Sequence, residues 1–87
     1  MERNHVWKKL TKEIGAATTY PLVEILGTRR VLIEHHKGIL GYKPDCICVH
    51  MDYGMLKISG RDLKFAQISG QQLVISGEIC MVCLAGR

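Results

Sequence analysis

Leu56-Lys57-Ile58-Ser59-Gly60 and, 17 residues later, Leu73-Val74-Ile75-Ser76-Gly77 are the stretches on which the fold turns. Each alternates apolar and other residues at a period of two and then meets a glycine. That is the pattern of a strand entering a bulge or corner where backbones come close. Alternating apolar residues continue after each copy, Leu63 and Phe65 after the first and Ile79 and Val82 after the second. Two copies do not establish a solenoid. They fit two consecutive bent hairpins of a barrel or rolled sheet, with a short β-solenoid stacking end to end as the alternative.

The same period of two extends back to Leu22. Strands are expected over 22–26, 31–34, 39–42, 46–51, 55–59, 63–68, 73–76 and 79–84. Turn residues separate them: Gly27-Thr28-Arg29-Arg30, His35-His36-Lys37-Gly38, Lys43-Pro44-Asp45, Asp52-Tyr53-Gly54, Gly60-Arg61-Asp62 and Ser69-Gly70-Gln71-Gln72. About 7–8 short strands with frequent turns read as a small antiparallel β-meander, closed as a barrel, roll or sandwich. Residues 20–87 are therefore expected to be an all-β domain, so the fold class is mainly β.

Residues 1–19 read differently. Val6, Leu10 and Ile14 recur at a spacing of four with Trp7 beside them, which predicts a short amphipathic helix over 3–15. Gly15 and then Pro21 stop it. Arg3, Lys8, Lys9 and Lys12 stand against Glu2 and Glu13, so this segment holds half of the net charge of +4. A basic helix carrying Trp7, Lys8, Lys9 and Lys12 is the candidate contact with an anionic membrane or a partner, beside the plainer reading of a solvated face.

With 47 % hydrophobic and 23 % charged residues, the 87-residue chain is not expected to be disordered. Its core is small, so self-association would add stability. No apolar run reaches the roughly 18 residues of a membrane helix, and the polar, basic start does not read as a secretory signal. A cytoplasmic protein with reduced thiols is the expectation.

Cys46, Cys48, Cys80 and Cys83 are the candidate metal ligands. Cys46, Cys48 and His50 share one strand face. Same-face neighbours lie roughly 6.6 Å apart, so two can lean onto one ion but three on a straight strand cannot. On a regular strand Cys80 and Cys83 point to opposite sides. A bulge near Cys80-Met81 would gather Ile79, Val82 and Leu84 on the inner face and leave Cys83 outside. The four complete a zinc set only if the two strands pair. Half-buried or surface thiols are the expectation, with zinc and a disulfide as alternatives.

No cofactor motif or catalytic constellation is read. Ser59, Ser69 and Ser76 lie beside glycines without a strand–elbow–helix frame. Glu34, Asp52, Asp62 and Glu78 each sit by a turn, and His35-His36 is expected to be a solvated turn pair. The single glycines make no phosphate loop. A small RNA-binding barrel remains a rival, although Trp7, Tyr20, Tyr42, Tyr53 and Phe65 do not cluster along the chain.

The order of several segments resembles the YabP/YqfC family of sporulation proteins. They are Val31-Leu32-Ile33-Glu34-His35-His36-Lys37-Gly38-Ile39-Leu40-Gly41-Tyr42, Ile47-Cys48-Val49, Tyr53-Gly54-Met55-Leu56-Lys57-Ile58-Ser59-Gly60-Arg61-Asp62-Leu63 and Leu73-Val74-Ile75-Ser76-Gly77-Glu78-Ile79. The basic start is similar to the YqfC branch. His35 stands where the family usually has asparagine, and the four cysteines stand where polar residues are usual. The resemblance implies a non-enzymatic structural or assembly factor of the spore envelope, coat or cortex. It would act in the mother-cell cytoplasm or at the forespore surface of an endospore-forming bacterium. Its expected partners are itself, as a homo-oligomer, and other spore-envelope proteins.

Overall fold

A computed structural model describes residues 21–86. The expected helix over 3–15, with Trp7, Lys8, Lys9 and Lys12, lies outside these residues. Six strands form one open antiparallel sheet: β1 (Leu22–Leu26), β2 (Arg30–Glu34), β3 (Gly38–Lys43), β4 (Cys46–Met51), β5 (Gly54–Ser69) and β6 (Gln72–Gly86). Their order across the sheet is β1-β2-β6-β5-β4-β3.

The fold is mainly β, as the alternation predicts, but with six strands. The expected breaks at 60–62 and 77–78 are bends inside β5 and β6. Each long strand runs through its glycine because the other runs alongside it. The order is also not a meander, because the loop after β2 carries the chain to β3 at the far edge of the sheet. The open, wholly antiparallel sheet is neither a closed barrel nor a solenoid.

The β5–β6 hairpin is the spine. Its paired bends divide the sheet into two halves related by an internal two-fold pattern. In one half β2 lies on β6, with Arg30 opposite Ser76, Val31 opposite Ile75 and Ile33 opposite Leu73. In the other β4 lies on β5, with Cys46 opposite Ser59, Ile47 opposite Ile58 and Val49 opposite Leu56. The two Leu-x-Ile-Ser-Gly copies occupy equivalent places in the two halves.

Each hairpin turn then docks on a bend. The Gly60 N–H donates to the Asp45 carbonyl (3.1 Å) and the Leu63 N–H to that of Pro44 (2.8 Å). Correspondingly, the Gly77 N–H donates to the Arg29 carbonyl (3.2 Å) and the Ile79 N–H to that of Thr28 (2.8 Å).

The inner faces of both halves meet in one core. Val31, Ile33, Leu73 and Ile75 from one half pack with Ile47, Val49, Met51, Leu56 and Ile58 from the other, and Leu63 fills the corner. Residues directly opposite each other in a ladder share a face, so the register alone selects this set. None of these ten side chains is more than 2 % exposed, which a flat one-layer sheet cannot achieve. Each such burial is worth about 1.5–3 kcal/mol.

Candidate functional site

The register also composes the outer face of the β4–β5–β6 half. Three rows cross it: Cys46, Ser59 and Met81; Cys48, Lys57 and Cys83; His50, Met55 and Ala85. Cys46, Cys48 and His50 therefore share a face, as their alternation predicts. Cys83 joins them because of a bulge. Ser59 faces Met81 and Gly60 faces Ile79, which leaves Cys80 unopposed. This is the bulge that gathers Ile79 and Val82 against the core and turns Cys83 outward.

The two cysteine pairs are not brought together. β5 lies between β4 and β6, so Cys48 and Cys83 are two strand spacings apart, about 9.5 Å. A tetrahedral zinc site needs its sulfurs within about 3.8 Å of one another. Among the described residues, no three His, Cys, Asp or Glu side chains form a group that could hold a metal ion. All four cysteines are free thiols.

Burial pushes the Cys48 thiol above its usual range. A hydrogen bond and charge interaction with Cys46 add to the shift, while Lys57 and Lys43 oppose it. Thiolate is the reactive form. Cys80 is exposed and Cys48 is half-buried, so iodoacetamide at pH 8 is expected to alkylate Cys80 several-fold sooner than Cys48. Peptide mass spectrometry over a time course reads the order, and equal rates would contradict it.

The turn histidines are built into the structure rather than simply solvated. His35 has φ +63°, in the left-handed region where histidine and asparagine are both enriched. The His35 and His36 amides both donate to the Gln71 carbonyl, at 2.9 and 3.5 Å. His36 Nδ1 accepts the Gly38 N–H at 3.0 Å, while its Nε2 is buried. The carboxylates Glu34, Asp52, Asp62 and Glu78 stay dispersed: Glu34 accepts from Gln72 (3.1 Å), Asp52 pairs with Lys37 (3.4 Å) and Glu78 with Arg61 (3.5 Å).

One concavity was not legible in the chain order. A cleft of about 810 Å³ opens beside the bends and is lined by Arg29, Arg30, Lys64, Asp62, Ser76 and Glu78, among others. Arg30 and Lys64 flank Ser76 across the outer face of the β2–β6–β5 half. Arg29-Arg30 reads in sequence only as a turn, and Lys64 lies 34 residues away from Arg30; register alone unites them. Its lining mixes three cations with two carboxylates, one of which, Glu78, is paired with Arg61.

Tyr42 and Phe65, separate in sequence, meet with ring centroids 5.3 Å apart. The Tyr42 hydroxyl donates to the Leu63 carbonyl (3.2 Å), and Phe65 packs against the core. This pair closes one margin of the core between β3 and β5.

The site thus describes a small antiparallel sheet protein with paired surface thiols and a polar cleft. The YabP family model matches residues 19–86, and the chain belongs to the YabP family. No curated protein and no solved structure matches it. Among the described residues no helix is long and apolar enough to cross a membrane.

Proposed function

We propose that this chain is a non-enzymatic structural or assembly factor in late spore-envelope formation. Membership of the YabP family, which suggests a sporulation-associated role, is the observation that carries this reading. The basic segment 1–19 favours the YqfC-like branch. Self-association or docking to other envelope proteins is the mode of action, in the mother-cell cytoplasm or at the forespore surface. The outer cysteine face supports it, because Lys57 is the only charged side chain in its three β4–β5–β6 rows. Trp7, Lys8, Lys9 and Lys12 would add contact with an anionic membrane.

Disrupting the gene in the endospore-forming bacterium that carries it tests this role. Vegetative growth is expected to be normal, and the spores to show a defective coat or cortex and reduced lysozyme or heat resistance. Spores of full resistance, or a defect confined to growing cells, would contradict the reading.

A further inference from the structure

We infer that the free edge of β6 over residues 81–85 pairs antiparallel with the same edge of a second copy. This rests on the self-association reading above and names the surface that performs it. Four strand edges are unpaired within the described sheet: β1, β3, β5 over 64–69 and β6 beyond its bend. An unpaired edge is a template for another strand unless charge, proline or a bulge blunts it.

Three of the four carry such devices. β1 has Glu24 at its centre and Pro21 before it. β3 is bulged at Leu40 and closes on Lys43-Pro44. The β5 edge has Lys64 and a bulge at Ala66. The fourth differs. Beyond the Cys80 bulge, Met81-Val82-Cys83-Leu84-Ala85-Gly86 holds no charge and no proline, and it is paired to β5 without a register shift. Leu84, 63 % exposed, is the most exposed large apolar side chain among the described residues, and Met81 in the same run is 55 % exposed.

A second copy suits this edge better than a charged partner. The chain carries a net charge of +4, so two copies repel over most of their surface but not along this uncharged run. Antiparallel pairing about a two-fold axis is self-complementary. It keeps inner faces continuous only if centred on a residue, because facing side chains must share a face. Centring on Cys83 uses the whole run. It places Val82 opposite Leu84 of the second copy on the inner face and Met81 opposite its Ala85 on the outer face. The two Cys83 residues then lie directly opposite each other. Their Cα atoms would be about 4.5–5.5 Å apart, within disulfide reach.

The test uses the full chain in reducing buffer, with mass read by light scattering over a concentration series. The wild type is expected to be a dimer. Leu84→Lys is expected to weaken it by about 30-fold or more, as loss of an interface hot spot does. Ile68→Lys, which puts the same charge on the β5 edge, leaves it unchanged; Ile68 is 59 % exposed, so neither variant disturbs the core. A Cys46→Ser/Cys48→Ser/Cys80→Ser variant treated with diamide, which takes up the two thiol hydrogens as the S–S bond forms, is expected to give a covalent dimer through Cys83.

A dimer that survives Leu84→Lys, dissociates equally with Ile68→Lys or fails to cross-link through Cys83 would overturn the β6 pairing while leaving self-association standing. A wild-type monomer throughout the series would overturn self-association itself.

Discussion

Gly60→Ala is expected to cost about 3 kcal/mol or more of stability, a large part of what a domain this size has. A Cβ at Gly60 falls on the Glu78 carbonyl oxygen and lies 3.0 Å from the Glu78 carbonyl carbon. These are backbone atoms of the neighbouring bend, so no rotamer change relieves the contact. The Gly60 N–H is also tied to the Asp45 carbonyl, which limits backbone retreat. Gly77, the equivalent residue of the second copy, is constrained twice. Its φ is +138°, and a Cβ there would lie 2.6 Å from the Asp62 carbonyl oxygen. Gly77→Ala is expected to cost as much. Gly41→Ala, with nothing within 4 Å of the new Cβ, is the control and is expected to change stability by less than about 0.5–1 kcal/mol. Urea unfolding midpoints for the three variants read the difference. Equal midpoints for Gly60→Ala and Gly41→Ala would mean that the two bends do not touch.

Ile58→Ala is expected to cost about 2–5 kcal/mol, the range for truncating a fully buried aliphatic side chain. Ile58 is 0 % exposed and sits opposite Ile47 on one side and Val82 on the other. Its removal opens a void where strands from both neighbours converge, and the β5–β6 spine restricts collapse around it. Ile68→Ala, on the same strand but 59 % exposed, is expected to cost under about 1 kcal/mol. The contrast tests whether the core is the contact between the two sheet halves. A similar loss at both positions, in the same urea titration, would contradict it.

The features of the fold that were legible in the sequence rest on local physics. Alternation marked β4, β5 and β6, short apolar runs between turns marked β2 and β3, and Leu-x-Ile-Ser-Gly marked both bends because only glycine allows backbones to approach so closely there. The bulge that turns Cys83 outward was also readable, since Ile79, Val82 and Leu84 share a face only if one residue is skipped. What escaped depends on partners distant in the chain. Whether Gly60-Arg61-Asp62 is a turn between strands or a bend within one is decided by β6 running alongside. The crossing of the chain after His36 to the far edge of the sheet has no local signature. The cleft formed by Arg30, Lys64 and Ser76, the Tyr42–Phe65 contact and the separation of the two cysteine pairs by β5 all follow from strand order.

We propose that this YabP-family chain works by associating through its sheet rather than through a metal-stapled site. The most direct measurement is the solution mass of the purified, reduced full chain, with zinc content determined on the same sample. A metal-free dimer is the predicted result. A zinc-loaded monomer would contradict the account and return Cys46, Cys48, Cys80 and Cys83 to the role of ligands.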